Sequence, residues 1–247
     1  MEERKYILIT GSSSGMGEEM AIRLSQDYNI IINGRDTERL EGVHGRMLEG
    51  NHLIWHYDLS DVQNLEQSLT AFIVDNGIKI SYFIHSAGFM KMYPIKMLNA
   101  DLFNNSFNVN VVSAAIITKT LVSRKNQKAL DSAVFISSNI SNFGAKAFSV
   151  YSSAKAGLDG LMRSLAMELA PEVRINSVLP GGVRTRMTEH MYENEDLINR
   201  MAATYPLGLG QTSDIYHAVR FLLSEDARWI TGQQLTVDGG RTVNITG

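Results

Sequence analysis

The chain contains no cysteine, only four prolines and two tryptophans, and no apolar run long enough to cross a bilayer. Without cysteine it has no disulfides, no thiolate nucleophile and no thiolate metal ligand, which fits a reducing cytoplasm. The mixed-charge start Met1-Glu2-Glu3-Arg4-Lys5 leads into an apolar stretch that stops at Thr10-Gly11, too short for a secretion signal or an anchor. A cytoplasmic protein without membrane contact is expected. Charge of one sign is also missing: 23 Lys and Arg stand against 26 Asp and Glu, a formal net charge of -3. The basic residues are scattered rather than clustered, so nucleic acid is not an expected partner. Among the six histidines, no pair has metal-ligand spacing on a helix, so no catalytic metal is expected.

An apolar share of 44% and a charged share of 20% are those of a globular protein. With 247 residues, one domain spanning 1–247 is expected, and no linker, repeat or low-complexity tract divides it. Short β-branched runs at Tyr6-Ile9, Ile30-Ile32, Leu53-Tyr57, Tyr82-His85, Ala133-Ser137, Arg174-Leu179 and Gln234-Val237 read as strands. Between them, segments near 16–26, 36–48, 60–75, 99–122, 150–170 and 212–224 have helical length and spacing, with Ser60 and Asn99 placed as N-caps. Strand and helix in alternation predict an α/β, doubly wound, Rossmann-type fold with a parallel sheet of about seven strands covered on both faces. The segment 183–210, with Met187, Met191 and Met201 among charges, reads as a substrate flap. Phe89, Met90, Phe143, Phe148, Met187 and Met191 are candidate pocket walls, although Met is often simply a filler of core gaps.

Directly after the first strand comes Thr10-Gly11-Ser12-Ser13-Ser14-Gly15-Met16-Gly17, leading into a helix. Glycines let the backbone turn tightly and approach a ligand, and the exposed N–H groups at a helix start attract a pyrophosphate. Gly11, Ser13, Ser14, Gly15, Met16 and Gly17 are therefore candidate cofactor contacts. The alternative is a strand-to-helix turn that merely needs glycine. At the end of the second strand, Asn33-Gly34-Arg35-Asp36 bears on the choice of dinucleotide. Arg35 favours the 2′-phosphate of NADP, while Asp36 either favours NAD or caps the next helix. NADP is the expected cofactor, with NAD as the alternative.

Tyr151-Ser152-Ser153-Ala154-Lys155 places a phenol and an ammonium four residues apart, on one face of a helix. A neighbouring ammonium favours the phenolate, so Lys155 is expected to lower the pKa of Tyr151 toward useful acid–base work. A Tyr and Lys at this spacing also arise on any helix surface. Together with the glycine turn, Ser138 thirteen residues before the Tyr, Asn108-Val109-Asn110, Asp58, Pro180-Gly181 with Thr185, and Val237-Asp238-Gly239-Gly240, the pattern resembles the short-chain dehydrogenase/reductase family. The resemblance spans essentially the whole chain.

That resemblance implies a catalytic set of Asn110, Ser138, Tyr151 and Lys155. Tyr151 would protonate the developing alkoxide, Ser138 would hydrogen-bond the same oxygen, Lys155 would also bind the nicotinamide ribose, and Asn110 would hold a water that resupplies protons. It further implies that Asp58, with Leu59 beside it, meets the adenine, and that Ala87 and Gly88 lie on the ribose side. Pro180, Gly181, Val183 and Thr185 would follow at the nicotinamide, Val183 and Thr185 meeting the carboxamide. Two positions depart from the pattern: His85-Ser86-Ala87-Gly88 replaces the common Asn-Asn-Ala-Gly, and Ser14 replaces the basic residue frequent before Gly15 in NADP-preferring members. The expected activity is NADP(H)-dependent interconversion of a small-molecule carbonyl and a secondary alcohol, a 3-oxoacyl thioester reductase being the nearest type. The alternative is a non-catalytic dinucleotide-sensing regulator on the same fold. A homo-oligomer, tetramer or dimer, is expected in either case.

Overall fold

Strands β1 (Tyr6–Thr10), β2 (Asn29–Gly34), β3 (Leu53–His56), β4 (Ile80–His85), β5 (Ser132–Ile136), β6 (Arg174–Pro180) and β7 (Gln234–Val237) form one parallel sheet. Their spatial order is β3-β2-β1-β4-β5-β6-β7, the doubly wound arrangement expected from the alternating pattern. The computed structural model describes residues 4–185 and 195–243.

Why the strands are apolar at successive positions is visible in the two cores. Leu8, Ile31, Phe83, Phe135 and Ile175 point to one face, where helices α3 (Leu65–Asp75), α5 (Ser113–Leu121) and α6 (Ser149–Leu169) cover them. Ile7, Ile9, Ile30, Ile32, Ile84 and Val178 point to the other, under α1 (Gly15–Leu24), α2 (Thr37–His44) and α8 (Thr212–Leu223). Each fully buried side chain of this kind contributes roughly 1.5–3 kcal/mol of transfer free energy, so a sheet buried on both faces needs apolar residues at every position. The remaining helices are α4 (Ala100–Phe107) and α7 (Glu195–Ala202). No helix among the described residues is long and apolar enough to cross a membrane.

Two expectations need correction. Ser60 does not cap a helix: α3 starts only at Leu65, after Asn64. Asp58 and Asp61 take the local N–H groups first, Asp58 Oδ1 accepting from Ser60 N at 2.9 Å and Asp61 from Asn64, so residues 58–64 form turns. The stretch 99–122 is not one regular helix either. Asn99 caps α4 as expected, accepting from Leu102 N at 3.0 Å, but a π-helical segment, Asn108–Val112, separates α4 from α5. Such a bulge inserts one residue into the helix and re-aims the side chain it carries, here Asn110.

The topology also positions a crevice. From β1 the chain builds outward to β2 and β3, and from β4 it builds to the other side, so the carboxyl ends of β1 and β4 part at a switch point. The two ends of segment 183–210 meet beyond β6: Val183 and Gly210 form a parallel bridge, and Gly210 N donates to Gly182 O at 2.9 Å. Met187, His190 and Met191 lie outside the described residues.

Candidate active site

The crevice is a cleft of about 740 Å³. Gly11, Ser13, Ser14, Gly15, Met16, Arg35, Asp58, Leu59, Ala87, Gly88 and Thr185 line it, as do Phe89 and Arg39. Of the other expected cofactor contacts, Gly17, Tyr151, Lys155, Pro180, Gly181 and Val183 are not among its walls. Gly17 serves the turn itself, because a Cβ there would overlap the carbonyl of Gly11. Gly181 packs on Asp238 and Val183 is buried, so both hold the β6 end in place.

Glycine is required at the turn for two separate reasons. Gly11 has φ 65° and Gly15 φ 62°, in the left-handed region. A Cβ on Gly11 would in addition lie 2.6 Å from Ala87 Cα, so the β1–α1 turn and the β4 end touch backbone to backbone. Ser14, the residue before α1, makes no side-chain cap hydrogen bond, which leaves the helix start's N–H groups facing the cleft. Buried Ser12 ties the turn to β2: its hydroxyl donates to Ile9 O at 3.0 Å and accepts from Asn33 N at 2.9 Å.

At the other end of the cleft the charges are mixed. Asp36 is occupied as the α2 cap, accepting from Arg39 N at 3.2 Å and pairing with the Arg39 guanidinium at 2.9 Å. Arg35 is 79% exposed and lies 3.8 Å from Asp58. Burial raises the Asp58 pKa, but hydrogen bonds from Ser60 and the Arg35 guanidinium outweigh it and hold the carboxyl below its ordinary value.

Two of the four expected catalytic side chains, Asn110 and Lys155, lie against Gly88, itself a wall of the cleft. A Cβ on Gly88 would lie 2.6 Å from Asn110 Oδ1 and 3.2 Å from Lys155 Nζ, so the backbone passes between them only because no side chain is there. Asn110 is buried; its Nδ2 donates to Ser106 O at 2.8 Å, while Oδ1 has no donor among the described residues. Lys155 is buried and donates to Ile136 O at 2.8 Å. Ser138, just past β5, accepts from Ile140 N at 3.3 Å and lies close enough to the Tyr151 phenol to favour its ionised form. Its turn-capping role and its contact with the phenol therefore coexist. Phe148 packs edge-on against the Tyr151 ring at 6.4 Å, whereas Phe143 is largely exposed.

Comparison with known proteins gives this arrangement a lineage. The family described as Enoyl-(Acyl carrier protein) reductase matches residues 11–242. The chain belongs to the short-chain dehydrogenase/reductase family. A 3-oxoacyl-(acyl-carrier-protein) reductase of Mus musculus is 30% identical over 98% of this chain and 99% of its own length. The corresponding reductase of Rickettsia conorii is 30% identical over 96% of each chain. A solved 4-hydroxyisoleucine dehydrogenase in complex with NADH superposes with a TM-score of 0.90 at 25% identity, covering 97% of this chain and 99% of that one. As a member of this family the chain is an NAD(P)-dependent oxidoreductase.

In this short-chain dehydrogenase/reductase the electrostatics of the Tyr–Lys pair differ from expectation. Burial pushes the Tyr151 phenol up to about 12, with only the hydrogen bond to Ser138 acting in the other direction. The Lys155 ammonium, which donates to the Ile136 carbonyl and stands 5.8 Å from the ring centroid, does not offset that burial. Burial pushes Lys155 itself down to about 8, opposed by the charge of Asp159. His85, which replaces the family's common Asn, is buried with Nδ1 2.9 Å from Thr10 Oγ1. Burial and then the Lys155 charge push it down to about 3, so it is neutral.

Several residues of consequence escape a reading of motifs. Arg39 lines the cleft beside Arg35, and its only sequence signal is its place one turn into α2. Ser12 looks like one serine among three until its hydrogen bonds are seen. Asp159 has a clearer signal: it is a charge four residues beyond Lys155, on the otherwise apolar face of α6.

Proposed function

We propose that the protein reduces a carbonyl to a secondary alcohol, and catalyses the reverse, with NADP(H) preferred over NAD(H) and a 3-oxoacyl thioester as the substrate class. The observation that carries the reading is the approach of Asn110 and Lys155 to Gly88, a wall of the glycine-lined cleft, with the Tyr151 ring 5.8 Å from the Lys155 ammonium and Ser138 beside the phenol. The cleft's residues fit a dinucleotide. The Gly11 and Gly15 backbone turns with no side chain filling the cradle, and the uncapped start of α1 offers N–H donors to a pyrophosphate. Arg35 and Arg39 present two guanidinium groups for a 2′-phosphate, and Asp36, used as a cap, offers no free carboxylate to the ribose. The 3-oxoacyl-(acyl-carrier-protein) reductases among its relatives support the substrate class.

The bound nicotinamide supplies or accepts the hydride. Everything else falls to the chain's own residues. Tyr151 Oη gives its proton to the oxygen on which negative charge develops, and Ser138 Oγ donates a hydrogen bond to the same oxygen, stabilising it where the barrier is highest. Lys155 holds positive charge beside the phenol that loses a proton, and Asn110 Oδ1, an acceptor without a donor among the described residues, is the group for a water that returns the proton. A phenol held near 12 is a reluctant acid, so the ionised form depends on this charge and on closure of the site.

We further propose a single domain in which 183–210 acts as a substrate flap hinged where Val183 meets Gly210. A cytoplasmic location and a homo-oligomer, tetramer or dimer, complete the reading; exposed Met167, Phe221 and Trp229 support the association. A non-catalytic nucleotide sensor is disfavoured because it would not need the buried Lys155 and the Ser138–Tyr151 pair. The test is titration with NADPH and NADH, followed by nucleotide-linked turnover of a 3-oxoacyl thioester. Tyr151→Phe is expected to bind nucleotide normally and lose activity by about a thousandfold. Turnover close to the original rate would remove Tyr151 as proton donor, and failure to bind either nucleotide would remove the reading altogether.

A further inference from the structure

Asp159 is a buried carboxylate that the chemistry above does not use. It is 1% exposed, in the middle of α6, one turn beyond Lys155 and two beyond Tyr151. A buried carboxylate is costly unless paired and hydrogen-bonded, and such a residue at an otherwise apolar helix position needs a reason. Its partner is Ser137, whose hydroxyl donates to Asp159 Oδ2 at 2.9 Å and leans toward the Lys155 carbonyl at 3.4 Å; Oδ1 has no donor among the described residues.

The position of Ser137 matters as much as its hydrogen bond. It lies between Ile136, whose carbonyl receives the Lys155 ammonium, and Ser138, which contacts Tyr151. The Ser137–Asp159 bond thus fastens the end of β5 to α6 at the point where the two elements must be in register for the site to form. The same carboxylate is the negative charge nearest Lys155 on its own helix. From β4, the facing titratable group is His85, which is neutral, and from the π-helical segment it is the uncharged Asn110. Tyr151, one turn back on α6, is neutral as well.

We propose that Asp159, held by Ser137, is a positioning residue: the buried counter-charge that keeps the Lys155 ammonium protonated in the interior, and the clamp that sets β5 against α6. Its relevance to turnover rests on the proposed function, but its effect on Lys155 does not. The charge of Asp159 opposes the burial that pushes Lys155 down to about 8. Removing the charge leaves burial unopposed, so the ammonium loses its proton at a lower pH.

The experiment is an NMR titration of isotope-labelled lysine side chains, with the Lys155 signal assigned by its loss in Lys155→Arg. In Asp159→Asn the Lys155 midpoint is expected to fall by about one pH unit or more; in Asp159→Glu, which keeps the charge, it stays near that of the parent protein. Asp159→Leu provides a second charge-free variant should the amide not fold, since an apolar replacement for a buried ion is commonly tolerated. A midpoint that does not move in a folded charge-free variant overturns the proposal, whatever the activity. In an active enzyme the alkaline limb of the pH–rate profile should move down by the same amount in Asp159→Asn. It should keep its position in Ser137→Ala, where the clamp alone is lost and kcat falls without a shift. An inactive parent protein with a shifted Lys155 midpoint would sink the proposed function while upholding Asp159 as the counter-charge.

Discussion

Two parts of the candidate site are built from different materials. The β1–α1 end is made of backbone: Gly11 and Gly15 at positive φ, Gly17 against the Gly11 carbonyl, and free N–H groups at the start of α1. The β5–α6 end is made of side chains held out of water: Lys155, Asn110, and the Ser137–Asp159 pair, all buried. A turn that recognises phosphate through N–H groups needs shape and stays largely wet. A site that moves a proton needs charges whose energies respond to small changes, which only a dry environment supplies. One end is therefore expected to fail by distortion, and the other by loss of charge.

The largest effect should come from distorting the backbone-built end. Gly11→Ala forces an alanine into the left-handed region and its Cβ into the Ala87 backbone, with an expected loss of about 3 kcal/mol in stability, measured by urea unfolding, together with nucleotide binding. An Ala variant of parental stability would mean that this turn tolerates a shift and that the contrast is overstated.

The buried end should show itself in pH. Lys155 has a folded-state value near 8 against an ordinary 10.5. The unfolded chain therefore keeps its proton to higher pH than the native one, so stability rises as pH climbs through that window, by about 1.4 kcal/mol per unit at most. Between pH 8 and 9.5 a gain of about 1–2 kcal/mol is expected, and Lys155→Met should flatten it. Falling stability over that range, with no difference between the two proteins, would contradict a buried, half-discharged lysine. The smallest effect belongs to the exposed guanidinium at the mouth. Arg35→Ala should weaken NADPH roughly tenfold and NADH hardly at all, because a solvated charge contributes modestly. Equal weakening of both would show that Arg35 holds the fold of the β2 end instead.

What was legible in the amino-acid order follows the same division. The parallel sheet and six of its crossover segments could be read because burial on both faces leaves successive apolar positions, as at Ile30-Ile31-Ile32. The glycine turn could be read because positive φ and close approach leave few alternatives to glycine. Ser60 was misplaced as a cap because Asp58 and Asp61 compete for the same N–H groups, a contest between neighbours that propensity does not decide. The π-helical segment at Asn110 was invisible, since a bulge keeps the composition of a helix and changes only its register.

The sequence by itself determined the layered fold, the glycine turn and the spacing that puts Tyr151, Lys155 and Asp159 on one helical face. These are local or periodic properties, and a period is written in the order of residues. Tertiary structure alone decided how those groups ionise. It buried Lys155 against the Ile136 carbonyl, paired Asp159 with Ser137, neutralised His85 and left the Tyr151 phenol high rather than low. The free energy of a charge depends on how much water surrounds it and which dipoles face it, and residues 136–138 and 151–159 meet only when the strand and the helix pack.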